Sequence, residues 1–316
     1  MPSLEAVRLT KKYGDFTALS DLNLKIEGVK CVGYLGPNGA GKTTTLKIFT
    51  DMIRATSGEA LINGHSVHRE KRAALARVGS LIESPEIYPS FTPREALGMI
   101  AEIRGVPRFG RKQKIEDVVS EVKMEEWIDK RVGKFSKGMK QRINIAAALL
   151  SDPDVVILDE PTTGLDPRGM AEVRDIVKSL KKRDRLIFMS SHLLPEVSEV
   201  CDEVAMIDHG NLLVYDTLAN VTSKFSGSGA NANVVEAGFS REVDGVSTIK
   251  AIESLPNVLA VDRIDSKNLR LTIKAGIEVQ EQVLSDLAAL RLGLVSFRPS
   301  SSALESTYLN LIKDTL

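Results

Sequence analysis

The sequence predicts an α/β fold built on a mostly parallel sheet, and three observations support it. Two short apolar runs, Val155-Val156-Ile157-Leu158 and Leu186-Ile187-Phe188-Met189, have the length and composition of strands buried on both faces. The chain around them alternates strand, helix, strand, helix, which is the pattern of a doubly wound core. A third apolar run, Val32-Gly33-Tyr34-Leu35, leads into a glycine-rich turn and then a helix that starts at Lys42.

The remaining elements follow in order. Leu4-Glu5-Ala6-Val7-Arg8-Leu9 alternates like a half-buried strand, and Leu22-Asn23-Leu24-Lys25-Ile26 does the same. Ala60-Leu61-Ile62 follows a Ser57-Gly58 turn, so these segments form an N-terminal antiparallel β subdomain. Residues 93–150 are rich in helical periodicity and give a helical subdomain over about 90–150. Within it, Met139, Ile143, Ala147 and Leu150 recur at helical spacing and predict a core face, with Ser136 as the N-cap. The run Ser226-Gly227-Ser228-Gly229-Ala230-Asn231 has no apolar anchor and reads as a linker. It separates a first domain, 1–225, from a small α+β domain, 232–316. The latter has strands at Val234-Val235, 258–264, 269–273 and 294–297 and helices at 246–255 and 279–290. That order is βαββαβ. A last helix is predicted over 303–312. A length of 316 residues suits two such domains.

Composition narrows the function. Hydrophobic residues make up 43% and charged residues 27%, as in a packed globular chain. Lys+Arg and Asp+Glu both total 42, so the sequence carries no electrostatic footprint for nucleic acid, and no nucleic-acid partner is expected. Cys31 and Cys201 lack metal-ligand spacing and lie in apolar surroundings, which predicts buried reduced thiols of a cytosolic protein. No stretch approaches the roughly 20 apolar residues that span a bilayer. Residues 1–10 alternate apolar and charged side chains, unlike a signal peptide. Work at a membrane would need another chain to hold this one there.

The glycine-rich turn carries the chemistry. Gly36-Pro37-Asn38-Gly39-Ala40-Gly41-Lys42-Thr43-Thr44 fits G-x-x-x-x-G-K-[ST], the Walker A or P-loop pattern of nucleoside triphosphate binding. Glycines let backbone N–H groups surround phosphate oxygens. The helix beginning at Lys42 adds its positive dipole end. The Lys42 ammonium reaches the outer phosphates, and the Thr43 hydroxyl can ligate Mg²⁺. Val155-Val156-Ile157-Leu158-Asp159-Glu160 is a buried strand ending in two carboxylates. Asp159 can hold Mg²⁺ directly or through water, and Glu160 can polarise a water for in-line attack on the γ-phosphate. These two motifs alone leave kinases, GTPases and many ATPases open.

Further segments are similar to those of ATP-binding cassette (ABC) ATPases. Phe135-Ser136-Lys137-Gly138-Met139 resembles the family's L-S-G-G-Q signature, departing at Phe135, Lys137 and Met139 but keeping Ser136 and Gly138. Pro161-Thr162-Thr163-Gly164-Leu165-Asp166-Pro167 resembles the D-loop, which crosses to a partner subunit. Ser190-Ser191-His192 resembles the segment whose histidine contacts the γ-phosphate and helps hold the attacking water. His65, His68 and His209 match nothing in the family and are expected at the surface. Val78-Gly79-Ser80-Leu81-Ile82-Glu83-Ser84-Pro85 stands where the family has its Q-loop, with Glu83 for the usual glutamine. A carboxylate there is a candidate ligand of Mg²⁺ or its water. Tyr13 corresponds to the adenine-stacking aromatic.

The resemblance spans residues 1 to about 225, and the drug-resistance, antibiotic-immunity and sodium-extruding exporters look nearest. The segment Leu304-Glu305-Ser306-Thr307-Tyr308-Leu309 is similar to the end of their tails. The resemblance implies an ATPase that uses ATP and Mg²⁺. It implies a head-to-tail homodimer with ATP between the P-loop of one copy and Ser136 and Gly138 of the other. It also implies integral membrane permease partners that receive the motion and hold the chain at the cytoplasmic side of the membrane. A groove near Glu83 and the 85–93 loop would take a cytoplasmic helix of the permease. Two other classes remain: a soluble ABC ATPase acting on nucleic acid or ribosomes, and a scaffold that binds ATP without hydrolysing it.

Overall fold

A computed structural model describes residues 1–83, 85–225, 232–243, 245–274 and 276–299. The expected linker at 226–231, the helix expected over 303–312 and the tail around Leu304 lie outside them. The chain divides into two compact units, Met1–Leu218 and Ala219–Leu316. The division falls before the serine–glycine run at which the sequence places the boundary.

The first unit begins with β1 (Ser3–Tyr13), β2 (Phe16–Glu27), β3 (Cys31–Leu35) and α1 (Lys42–Phe49), followed by β4 (Ser57–Ile62), β5 (His65–Ser66), α2 (Lys71–Leu75) and β6 (Val78–Leu81). The helical stretch contains α3 (Pro93–Ile103), α4 (Arg111–Glu121) and α5 (Lys137–Leu149). β7 (Val155–Leu158), α6 (Pro167–Lys181), β8 (Leu186–Ser191), α7 (Leu194–Val200), β9 (Glu203–Asp208) and β10 (Asn211–Thr217) complete it.

Two sheets result. The first four strands outside the P-loop unit form an antiparallel sheet, β2-β1-β4-β5. The second has six strands in the order β10-β9-β3-β8-β7-β6, parallel except for β10. Its central strands β3, β7 and β8 are buried at every residue, as their continuous apolar runs require. Tyr34 and Phe188 stack at 5.1 Å between ring centroids, and Phe49 packs edge-on to Phe188.

The register decides where the chemistry can be. Leu35 pairs with Ser191, and Leu158 pairs with Met189. The residues following β3, β7 and β8 therefore emerge side by side at one carboxyl edge, where open α/β sheets bind ligands.

Two local expectations need correction. β1 does not alternate through residue 9: Leu4, Ala6 and Leu9 are buried, while Val7 is exposed. Register shifts between Ala6 and Leu9, where Arg8 takes φ +46°, move the buried set by one residue. α5 has no single core face either. Gly138, Gln141, Asn144, Ile145, Ala148 and Leu149 are buried along with Ile143, whereas Met139 and Ala147 are only half-buried. The helix sits among β6, α3, α4 and α6, so nearly its whole circumference is covered. Ser136 caps it as expected, accepting from the Met139 N–H at 3.2 Å.

Cys31 and Cys201 are buried free thiols, as expected, but the fold brings them together, Sγ to Sγ 3.5 Å apart. His65, His68 and His209 lie at the surface beside Glu70, Asp51 and Asp208.

α8 (Leu218–Phe225) starts at the last residue of the first unit, and the second unit continues through β11 (Ala232–Phe239), α9 (Val246–Glu253), β12 (Val258–Arg263), β13 (Asn268–Lys274), α10 (Ile277–Ala289) and β14 (Leu294–Pro299). From β11 onward the order is the expected βαββαβ. The sheet runs β12-β13-β11-β14, all antiparallel. Val235, Ala237, Leu269, Leu271 and Ile273 alternate onto one face, where Ile252 of α9 and Val283 and Leu287 of α10 close the core.

Candidate active site

The loop 36–41 leaves β3 and turns into α1 through Gly41, whose φ is +105°. A Cβ at Gly41 would lie 2.6 Å from the Ala18 carbonyl oxygen, so both backbone conformation and space demand glycine. The turn points the N-terminus of α1 along the carboxyl edge of the sheet. Lys42 is 5% exposed, and its ammonium donates to the carbonyls of Gly36 at 2.8 Å and Pro37 at 3.1 Å.

Asp159 and Glu160 leave the end of β7 on opposite errands. Asp159 Oδ1 accepts from the Thr43 hydroxyl at 3.2 Å and from the Ser190 hydroxyl at 2.6 Å. Glu160 adopts φ +43°, a left-handed conformation that costs a non-glycine residue energy and turns its side chain away from the neighbouring aspartate. Its N–H donates to Ser190 Oγ at 2.9 Å. Its Oε1 lies 3.5 Å from Lys42 Nζ, and its Oε2 lies 3.2 Å from His192 Nδ1 and accepts from the Thr163 hydroxyl at 2.9 Å. Burial alone would raise the Glu160 pKa, but the Thr163 hydroxyl, His192 and Lys42 together outweigh it and hold the carboxyl below its ordinary value. Glu160 is therefore a carboxylate at neutral pH, fixed by three partners and facing the lysine of the loop.

A cleft opens over this edge, lined by Tyr13, Asn38, Gly39, Gly41, Lys42, Thr43, Thr44 and Glu160 among others. Tyr13 is half-exposed at its mouth, with Lys11 Nζ 4.8 Å from the ring centroid. Phe16 lines the same cleft and was missed by the motif reading. The signal for it is present in Tyr13-Gly14-Asp15-Phe16, a two-residue turn that makes the flanking aromatics cross-strand partners, as the register shows.

Other expected site residues lie apart from this cleft. Ser136 and Asp166 are N-caps, of α5 and α6 respectively; Asp166 Oδ1 accepts from the Gly169 N–H at 3.2 Å. A Cβ at Gly138 would lie 3.3 Å from Gly169 Cα, so α5 and α6 approach closely there. Among the described residues lining the P-loop cleft, none comes from 136–138 or 166. Glu83 takes φ +60° and pairs with Lys47 of α1 at 2.6 Å, with 66% of its side chain exposed. The hydrogen bond with Glu83 comes first among the causes that hold Lys47 above its ordinary pKa. The carboxylate expected as a metal ligand thus engages a lysine of the P-loop helix.

Known proteins share this arrangement. The sequence profile of the ABC transporter family matches residues 19–163. A bacitracin transport ATP-binding protein of Bacillus licheniformis is 43% identical, over 66% of this chain and 68% of its own. A lantibiotic transport ATP-binding protein of Streptococcus pyogenes is 37% identical over 71% of this chain and 96% of its own. A linearmycin resistance ATP-binding protein of Bacillus subtilis is 29% identical over 99% of both chains, the C-terminal unit included. The solved structure of an ATP-binding subunit of an ABC transporter superposes with a TM-score of 0.62 at 27% identity, covering 70% of this chain and 92% of that one. A dimeric post-hydrolysis state of an ATP-binding cassette bound to ADP and Pi shares the fold, with a TM-score of 0.61 at 20% identity over 68% of this chain and 98% of that one. Identity at this level, over these shares of both partners, fixes the family: the chain is an ATP-binding, ATP-hydrolysing subunit of the ABC transporter family.

Proposed function

We propose that the chain is the energy-coupling subunit of an exporter and that it hydrolyses ATP as a head-to-tail dimer. One observation carries the dimer. The P-loop cleft binds one side of a triphosphate, while Ser136 and Gly138, at a second helix N-terminus, lie outside that cleft in the same chain. Two copies related by a twofold axis would place the α5 N-terminus of each against the P-loop of the other and make two equal sites. The triphosphate then joins the copies, and its cleavage lets them part.

Mg²⁺ fits the residues present. Thr43 and Asp159 are hard oxygen donors already within 3.2 Å of each other. Among the described residues there is no cluster of three or more His, Cys, Asp or Glu that would cage a metal, as suits an ion held by one or two protein oxygens and the phosphates. The ion would neutralise phosphate charge; the chain supplies the rest. Lys42 holds the outer phosphates, Tyr13 and Phe16 pack the base, Glu160 orients and deprotonates the water, and His192 holds Glu160 and the γ-phosphate. Glu83 remains a candidate for the metal's water shell once released from Lys47.

The chain offers such a membrane partner a surface. An apolar groove lies between the 85–91 loop and α3, lined by Leu81, Ile87, Tyr88, Phe91, Met99 and Ile100, with Tyr88 68% and Met99 46% exposed. It suits a short cytoplasmic helix of a permease. Among the described residues no helix is long and apolar enough to cross a membrane. In this reading the permease holds the chain at the cytoplasmic face. The relatives' bacitracin and lantibiotic transport and linearmycin resistance favour export.

Two measurements test these parts separately. Lys42→Ala should weaken ATP binding roughly ten- to hundred-fold, the value of one charge-assisted contact, in a calorimetric titration. Unchanged affinity would remove Lys42 from the site. Met99→Asp should leave ATPase activity of the isolated chain at the parental level and abolish its co-purification with a multi-span membrane protein from detergent extracts. Retention of that partner would move the docking surface elsewhere.

A further inference from the structure

Glu196 is a buried carboxylate without a part in the chemistry above. It lies in α7, is 3% exposed, and has its Oε1 buried with no hydrogen-bond partner among the described residues. Its Oε2 accepts two hydroxyls, Thr162 Oγ1 at 2.7 Å and Ser191 Oγ at 3.1 Å. Both donors are themselves buried. Placing a carboxylate in such surroundings opposes folding, and an apolar side chain of the same volume would pack without that cost. The acid is accordingly retained for what it holds.

What it holds are the two segments that carry the reacting pair. Thr162 follows Glu160 by two positions, and Ser191 precedes His192. Ser191 Oγ also accepts from the Leu193 N–H at 2.9 Å, so the turn around His192 closes on the hydroxyl that Glu196 grips. On the other side, Gln141 Nε2 donates to the Pro161 carbonyl at 2.8 Å, and Thr163 donates to Glu160 itself. Glu196 spans the two segments from behind, as Ser190 does in front through the Glu160 N–H. The pair that these segments carry, His192 Nδ1 and Glu160 Oε2, stands 3.2 Å apart.

We propose that Glu196 is a positioning residue for hydrolysis: its Oε2 locks the loop after β7 to the end of β8 and so sets Glu160 against His192. The proposal rests on the roles given above to Glu160 and His192. It also gives the 162–166 segment, which faces the second copy in the proposed dimer, a rigid route to His192.

The test measures steady-state kinetics, equilibrium ATP binding and thermal unfolding on Glu196→Ala, Glu196→Gln, Thr162→Val and the Glu196→Ala/Thr162→Val pair. Glu160→Gln is measured alongside. Loosening the pair by a fraction of an ångström to one ångström should lower kcat roughly ten- to hundred-fold in Glu196→Ala, with KM and ATP affinity within about twofold of the parent. Glu196→Gln keeps one oxygen to accept both hydroxyls and should recover most of the rate. Thr162→Val should lose rate in the same way, and the double variant should lose little more than either single one. The proposal is overturned if Glu196→Ala keeps the parental kcat. It is equally overturned if kcat and ATP affinity fall together, or if glutamine rescues nothing. Where Glu196→Ala does not fold, Glu196→Gln and Thr162→Val decide by the same criteria. Parental turnover by Glu160→Gln would instead strike at the reading of the site itself.

Discussion

Glu160→Gln stops steady-state ATP hydrolysis and leaves ATP binding intact. The amide keeps the shape of the side chain and its hydrogen bonding to Thr163, but it cannot take a proton from water. Loss of a general base costs roughly 10²–10⁴ in rate. Binding survives because the contacts to phosphate belong to Lys42, the 36–41 loop and the α1 N-terminus. Removing the carboxylate 3.5 Å from Lys42 Nζ also frees that ammonium for the triphosphate. Phosphate release and equilibrium nucleotide binding read the two halves separately. Parental turnover in this variant would assign the base to another residue.

The same substitution has a pH signature. The Glu160 pKa is lowered in the folded protein, against burial, by Thr163, His192 and Lys42. A group with a lowered folded pKa contributes stability that is fully present above its unfolded value and is lost as pH falls through the folded one. Glu160→Gln should therefore flatten the acid limb of the stability profile just below the ordinary carboxylate range and lower the neutral plateau by the contribution that the ionised Glu160 makes there. Thermal unfolding across that range measures it.

Much of the fold and the site is legible because the cues are local. β3 and β7 are runs of consecutive apolar residues, β8 opens with one at Leu186–Met189, and each strand is followed directly by a residue of the site. A parallel sheet turns three such local facts into one place. Thr43, Asp159 and Glu160 are legible from the two motifs, and His192 from the resemblance of Ser190-Ser191-His192 to its family segment. What the sequence hides depends on pairing over distance. Lys47 and Glu83 meet across 36 positions, and Cys31 and Cys201 meet across 170, with no spacing rule to announce either contact. Ser190 is the bridge between Asp159 Oδ1 and the Glu160 N–H, yet a serine before a histidine has no signal of its own. The bulge in β1 and the enclosure of α5 are likewise set by neighbouring elements rather than by periodicity.

The second large effect tests the dimer without touching the P-loop. Ser136→Asp keeps a good N-cap, since aspartate accepts from the Met139 N–H as serine does, and α5 is retained. In an isolated copy the new charge is exposed at the surface and away from the P-loop cleft, so monomeric ATP affinity stays at the parental value. In the closed pair it would face the partner's triphosphate at a helix end that must attract anions. A like charge at about 4 Å costs on the order of 4 kcal/mol near a protein surface, enough to suppress closure roughly a thousandfold. Light scattering should show Glu160→Gln dimerising with Mg-ATP, and Ser136→Asp on that background remaining monomeric. Mixing gives a sharper result. Lys42→Ala and Ser136→Asp copies are each inactive alone, but a head-to-tail pair of the two contains one site with an intact Lys42 facing an intact Ser136. Activity that appears only on mixing requires the two halves of a site to come from different chains. If the mixture stays as inactive as its components while both variants bind or fold as stated, each site is completed within one chain and the head-to-tail arrangement is excluded.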